Sequence, residues 1–350
     1  MVSFSEQPRI FKNEEILSTE YLPDILPHRE QHIKQLADNL LPATKGRKPQ
    51  NTFIYGAPGI GKTACIKFVF REFENYSGIK TIYLNCWDFN TALAILSEIT
   101  ISLGMPIPRR GWAKDEVISR LTEVLRKSNK GLIICLDEVD QLVKKDPSVL
   151  YDLLRINQYV DNPVGLVFIS NDPFIFSGLE PRIKSSLAIE EIGFRPYSLG
   201  EMKDVLKERT DYAFYSVEEG VIVLAANHAV NKGGDVRVGL ECLLKAGRVA
   251  EKENASKVKV EHVRTIIKEV VKVKPQIMKE NVSDVEKIIL DVVNKSGKLP
   301  FSELYKKYCE NVESPLSDRS ILNYLDRLNE LKLIEIKKRK VGGRRIISKV

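Results

Sequence analysis

The chain has 350 residues, 43% of them hydrophobic and 29% charged, which is long enough for two or three domains with full cores. That balance excludes a disordered chain, and no apolar run approaches the roughly 18 residues that span a bilayer. The net charge is only +7, but residues 332–350 carry eight basic residues against Glu335 alone, so this one segment accounts for the whole excess. A polyanion partner is therefore expected at that end and nowhere else.

The first residues include Glu6 and lack an apolar stretch, so no secretory leader is expected. The five cysteines, Cys65, Cys86, Cys135, Cys242 and Cys309, are scattered, with no C-x-x-C spacing. They read as reduced core thiols of an intracellular protein, not as a metal site.

Residues 1 to about 20 are polar and mixed, and an arm lying on the first domain is expected there. Asp24 to Glu30 then leads into an amphipathic helix carrying Ile33, Leu36, Ala37 and Leu40. Thr52 to Tyr55 is β-prone, and Thr63 to Phe73 has apolar residues at helical spacing. Between them stands Gly56-Ala57-Pro58-Gly59-Ile60-Gly61-Lys62-Thr63, which satisfies G-x-x-x-x-G-K-[ST] in the strand-to-helix context that the motif requires. The glycines let the backbone turn tightly and aim its N–H groups inward, Lys62 supplies a positive charge for the outer phosphates, and the Thr63 hydroxyl can ligate Mg2+. The expected ligand is ATP or ADP with Mg2+.

Leu132 to Leu136 is a run of five apolar residues suited to a strand buried on both faces of a parallel sheet, and it ends in Asp137-Glu138. Carboxylates at a strand's C-terminal end lie where open α/β sheets bind ligands. Asp137 is expected to hold Mg2+ through water, and Glu138 to polarise the attacking water. A further strand, Val164 to Ser170, ends in Asn171. Its amide is suited to orient that water, but Asn before Asp172-Pro173 is equally an ordinary turn residue. Strands near 81–85 and 189–192 complete an α/β nucleotide-binding domain over residues 1–195. From Ser198 the periodicity becomes helical, predicting a small helical domain over 196–274, and Lys272-Val273-Lys274-Pro275 starts a linker.

Residues 275–350 read as three helices followed by a hairpin. Val285, Ile288, Ile289 and Val292 make one stripe, Phe301 to Cys309 forms a short second helix, and Ser317 caps a third over Asp318 to Leu331. Leu333 to Lys337 alternates as a strand, and Val341-Gly342-Gly343-Arg344 supplies the turn. This is the layout of a winged-helix DNA-binding domain. Arg319, Ser320, Asn323 and Arg327 share the face away from the apolar stripe and are candidates for the major groove, although Asp326 and Glu330 share the same arc. Lys338, Arg339, Lys340, Arg344 and Arg345 form a basic wing for phosphates. A winged helix used for protein docking is the competing use of this layout.

Taken together, the phosphate loop, Asp137-Glu138, Asn171 and Gly233-Gly234-Asp235-Val236-Arg237-Val238-Gly239-Leu240 resemble the AAA+ ATPases. With Pro23 to Glu30, Pro181 to Leu187 and the C-terminal layout, nearly the whole chain is similar to the archaeal replication initiators of the origin-recognition and helicase-loader family. The resemblance implies a switch-like ATPase that acts on double-stranded origin DNA with related initiator subunits and the replicative helicase. It implies a cytoplasmic, nucleoid-associated protein that uses no membrane. It makes Asn171 a first sensor, Arg237 a second sensor in the lid, and Arg182 a finger offered to a neighbouring subunit. It places His28 and Arg29 around the nucleotide base, and Arg109 and Arg110 in an insertion that touches DNA. A winged-helix transcription regulator or transposition helper with an ATP-sensing domain is the alternative function.

Overall fold

The computed structural model describes residues 10–107, 111–128, 130–267, 284–312, 315–330, 334–338 and 345–349. The chain divides into two compact units, Met1–Ile267 and Lys268–Val350. In chain order the first unit contains α1 (Glu30–Leu40), β1 (Asn51–Tyr55), α2 (Lys62–Ser77), β2 (Lys80–Asn85), α3 (Ala92–Ser102), α4 (Lys114–Lys127) and β3 (Leu132–Asp137). Next come α5 (Val139–Lys145), α6 (Ser148–Arg155), β4 (Val164–Ser170), α7 (Pro181–Leu187) and β5 (Ile189–Gly193).

The five strands pair in parallel in the order β2-β3-β4-β1-β5. Strand alternation divides the core in two. Ile54, Ile133, Cys135, Val167 and Ile169 face α1 and α2, packing with Leu36, Ile66 and Phe70. Phe53, Ile134, Leu136, Leu166 and Phe168 face the other way, against Ile95, Leu121 and Leu150 of α3, α4 and α6. Both faces are covered, which is why the strands read as apolar runs. Because the strands run parallel and in register, with Asn85 opposite Asp137 and Tyr55 opposite Ser170, their C-terminal tips gather at one edge of the sheet. The segment expected to touch DNA, residues 88–110, contributes α3 to this core, with Ile95, Leu96 and Ile99 at most 1% exposed. Arg109 and Arg110 lie outside the described residues.

Three helices follow, α8 (Leu199–Ala213), α9 (Glu219–Asn231) and α10 (Val236–Lys252), with residues 260–267 forming α11. The described part of the N-terminal arm, residues 10–20, lies on this helical bundle and not on the sheet, which corrects the sequence expectation. The Lys12 and Asn13 N–H groups donate to the Ala213 carbonyl at 2.8 and 3.2 Å, and the Phe11 ring stacks on Phe214 at 4.9 Å. Gly247 of α10 makes room, since a Cβ there would fall 2.3 Å from the Phe11 ring. Within residues 10–20, Ile10, Ile16 and Leu17 are buried and Phe11 is half-buried against Phe214, and these apolar contacts determine where this stretch lies.

The second unit contains α12 (Asp284–Ser296), β6 (Leu299–Pro300), α13 (Phe301–Glu310), α14 (Asp318–Glu330), β7 (Ile334–Lys338) and β8 (Arg345–Lys349). Its antiparallel sheet has the order β6-β8-β7, and its core joins Ile289, Val293, Leu304, Ile321, Leu325 and Ile347. This is the winged-helix layout. The Ser320 N–H donates to Ser317 Oγ at 3.3 Å, as expected of a cap. Strand β6 was not anticipated, because two residues ending in a proline carry no periodic signal, and Leu299 is held by distant residues, pairing with Ile347 and packing in the same core. Among the described residues no helix is long and apolar enough to cross a membrane.

Candidate nucleotide site

The phosphate loop joins β1 to α2, and three of its glycines need a backbone that side chains resist: φ is +147° at Gly56, +71° at Gly59 and +91° at Gly61. Gly59 is also pressed from outside. A Cβ there would lie 1.8 Å from the Asp235 carboxylate, and the Val236 N–H donates to the Gly59 carbonyl at 2.9 Å. The loop therefore caps the first turn of α10. Asp235 caps the same turn, accepting from the Arg237 N–H at 2.9 Å.

Lys62 is 7% exposed, and its Nζ donates to the Gly56 and Ala57 carbonyls and to Asn171 Oδ1, each at 2.8 Å. Burial lowers its pKa from the ordinary value, while Asp137 and Glu138 oppose that shift. The other end of the Asn171 amide donates to Glu138 Oε2 at 3.1 Å. One asparagine at the tip of β4 thus orients the lysine and the acid together.

Asp137 is 3% exposed and fully engaged. Its Oδ2 accepts from Thr63 Oγ1 and from the Tyr83 hydroxyl, both at 2.7 Å, and its Oδ1 accepts from the Glu138 N–H at 2.7 Å. Thr63 and Asp137 together offer hard oxygens beside the phosphate loop, the donor set that a small divalent cation takes. Glu138 sits at φ +53°, a left-handed backbone that carries strain in any residue but glycine. Burial raises its pKa first of all, and the neighbouring Asp137 and Asp140 charges add to that shift.

These groups open on one cavity of about 330 Å³. Lys62, Thr63, Glu138 and Asn171 are among its polar lining residues, Ile25, Leu26, Val205 and Leu240 among its apolar ones, and Tyr21 and Arg237 are also on the wall. A larger cavity of about 740 Å³, between α4 and α6, contains none of the expected site residues.

The remaining expected residues are dispersed. His28 faces Asp204, its Nε2 lying 2.8 Å from the carboxylate, and Arg29 is buried against the back of the phosphate loop. The Asp24–Glu30 segment meets the cavity through Ile25, Leu26 and Pro27 instead. Arg182 lies on the exposed side of α7, its Nε 2.6 Å from Glu180 and its guanidinium 5.4 Å from the Tyr151 ring centre. In the second unit the Ser320 hydroxyl is 3.0 Å from Ser317 Oγ, Asn323 is exposed, and Arg327 Nε lies 3.5 Å from the buried Glu286 carboxylate. Arg319, Lys338 and Arg345 fall in α14, β7 and β8, whereas Arg339, Lys340 and Arg344 lie outside the described residues. Sequence reasoning missed Tyr83, Tyr21 and the contact of Asp235 with Gly59. Tyr83 is two residues from the end of β2, and only the pairing of β2 with β3 brings it to Asp137.

Residues 45–173 match the family described as AAA domain, and residues 203–268 match the Cdc6 AAA+ ATPase-type lid domain. The ORC1-type DNA replication protein of Pyrococcus abyssi is 38% identical over 356 residues, covering 94% of this chain and 84% of the relative. The ORC1-type DNA replication protein 1 of Archaeoglobus fulgidus is 37% identical over 358 residues, covering 96% and 87%. The structure of the Aeropyrum pernix ORC1 protein in complex with DNA is similar with a TM-score of 0.78 and 31% identity, over 97% of this chain and 94% of that chain. A phosphate loop whose apex holds the first turn of a Cdc6-type lid helix fits these relatives, and the chain belongs to the ORC1-type DNA replication proteins, a family of AAA+ ATPases.

Proposed function

We propose that this chain is an ATP-switched replication initiator that binds double-stranded origin DNA and takes part, with related subunits, in recruiting or loading the replicative helicase. The observation that carries the reading is the shared cavity: phosphate loop, strand tips and lid helices α8 and α10 all line it, so one ligand touches every part that a nucleotide switch must connect. Relatives that are ORC1-type DNA replication proteins favour the first of the two functions weighed. The working parts are a nucleotide-binding domain over 1–195, a lid over 196–274 and a winged helix over 275–350, in a cytoplasmic, nucleoid-associated protein.

Bound ATP with Mg2+ would supply the scissile phosphoanhydride and the charge that polarises it. Loop N–H groups and Lys62 would hold the phosphates, while Thr63 and Asp137 would hold the cation. Asn171 engages Glu138 Oε2, which leaves Oε1 to take the proton of the attacking water. Burial beside Asp137 and Asp140 raises the proton affinity of that carboxylate, which makes it a better base than an exposed glutamate. Arg237 would sense the nucleotide from α10. Arg182, exposed on α7, would complete the site of a neighbouring subunit.

DNA binding is tested by fluorescence anisotropy on duplex fragments with ATP, with ADP and with neither. Nucleotide-dependent affinity is expected, and identical affinity in all three would remove the switch. Arg182→Ala is expected to leave nucleotide binding by the monomer intact and to impair only turnover that depends on assembly. Normal assembly-dependent turnover in that variant would assign the finger to another residue.

A further inference from the structure

Arg29 is 2% exposed although it carries a full charge; its Nε finds no hydrogen-bond partner, and the outer nitrogens of the guanidinium meet backbone carbonyls instead. Its Nη1 donates to the His28 carbonyl at 3.2 Å, and its Nη2 donates to the carbonyls of Ile60 at 2.8 Å and Arg195 at 3.2 Å. The Tyr197 ring centre lies 3.8 Å from the guanidinium carbon and that of Phe194 lies 5.2 Å from it. None of these partners is a carboxylate, so the positive charge is not cancelled by direct contact. Three separate segments meet on this one side chain: the lead-in to α1, the phosphate loop, and the connector of residues 194–197 that joins β5 to α8.

The connector itself touches both the loop and the lid. A Cβ on Gly56 would fall 2.4 Å from the Phe194 carbonyl, and one on Gly61 would fall 3.3 Å from the Tyr197 hydroxyl. On the lid side, a Cβ on Gly234, two residues before α10, would fall 2.9 Å from Pro196 Cβ. At these contacts any displacement of the loop backbone at Ile60 is felt at Arg195 and Tyr197, because close-packed groups transmit shifts instead of absorbing them. Arg29 does not line the cavity, whereas Tyr197 does.

We infer that Arg29 is a positioning residue that ties the phosphate loop to the interdomain connector, so that occupancy of the loop is passed through Tyr197 and Pro196 to the start of α10. The role differs from contact with the base, and it rests on the nucleotide site proposed above. An arginine is suited to it because a planar fork reaches carbonyls on separate segments at once. A lysine ammonium keeps the charge but not that reach.

The test is hydrogen exchange of the full chain with and without ADP, together with ADP affinity by equilibrium titration. In the wild type, ADP is expected to slow exchange in the phosphate loop and also in the connector and the first turn of α10. In Arg29→Lys, ADP affinity is expected to fall about tenfold, the worth of one charge-assisted hydrogen bond. At saturating ADP that variant should still protect the loop but lose the response of the connector and α10. Tyr197→Leu, which removes the stacking ring without touching a charge, should lose the same distant response and carries the test if Arg29→Lys does not fold. A distant response equal to that of the wild type in either folded variant would overturn the inference alone. Absence of ADP binding by the wild type would overturn the nucleotide site and the inference with it.

Discussion

The phosphate loop and the C-terminal unit use their polar side chains in opposite ways. At the loop, Lys62 and Asp137 are nearly sealed from solvent and each satisfies three partners, with Asn171 joining Lys62 to Glu138. On α14, Asn323 stands in solvent and Ser320 bonds to Ser317 of its own helix cap. Bond-breaking chemistry needs donors and acceptors fixed in advance, whereas a groove reader needs side chains that can still reach. Single substitutions at the loop should therefore act steeply and on one step each. Substitutions on the C-terminal unit should act in small and nearly additive increments.

The sharpest test of that contrast separates holding from turnover. Glu138→Gln is expected to retain ATP affinity and lose about 10²- to 10⁴-fold in turnover, the usual worth of a positioned base. Lys62→Ala is expected to lose binding itself. Steady-state turnover and equilibrium binding on both variants check this, and an equal loss of affinity in the two would break the division of labour. Next in size is Leu325→Ala, which removes a side chain that is 0% exposed in the core of the C-terminal unit. A cost of about 2–5 kcal/mol is expected from the cavity left behind. Duplex affinity should fall with it while nucleotide affinity stays at the wild-type value. A parallel fall in both affinities would mean that the two units do not act separately.

Smaller effects belong to the proposed DNA-reading surface. Asn323→Ala is expected to relax discrimination between specific and scrambled duplexes by about 1–3 kcal/mol, the worth of one bidentate base contact. Neutralising Lys338, Arg339, Arg344 and Arg345 should weaken all duplexes alike and flatten the slope of log affinity against log salt by about 0.9 for each phosphate no longer neutralised. Anisotropy at several salt concentrations measures both. An unchanged salt slope would make the unit a protein-docking module. Arg327 is expected to behave differently from Asn323, because its contact with the buried Glu286 ties it to α12.

The same contrast governs what the sequence reveals. Gly56 to Thr63 is legible because each position answers a local requirement, a positive φ or a charge beside a turn. The buried strands are legible because unbroken apolar runs suit a sheet covered on both faces. Tyr83 is not legible, since its contact with Asp137 depends on β2 lying next to β3, and strand order leaves no local mark. The arm was expected on the wrong domain for a similar reason: Phe11 finds its socket at Gly247, more than two hundred residues away in sequence. Arg29 marks the limit of reading by resemblance, which associates it with the nucleotide, while its contacts place it behind the loop.

The smallest effect concerns what the site costs the empty chain. Burial and the charges of Asp137 and Asp140 raise the pKa of Glu138, while Lys62 and the Asn171 amide only partly oppose them. Folding thus increases the proton affinity of this carboxylate, and between its ordinary and its raised value the folded state binds more protons than the unfolded one. The stabilisation linked to its protonation is fully present below the ordinary carboxylate range and is lost as pH rises through the raised value. Above that raised value the folded chain carries a poorly solvated charge beside two others of the same sign, which Glu138→Gln removes while keeping an oxygen for Asn171 to bond. The variant that loses turnover is thus expected to melt higher than the wild type at neutral pH without nucleotide, by a shift on the order of a degree or two. The difference should shrink as pH falls into the carboxylate range and the wild-type group takes up its proton. Thermal melts of both chains across that range measure it. A glutamine variant that melts lower at neutral pH would show that the bond to Asn171 and the attraction of Lys62 outweigh the repulsion, so that Glu138 is a net stabiliser of the empty site.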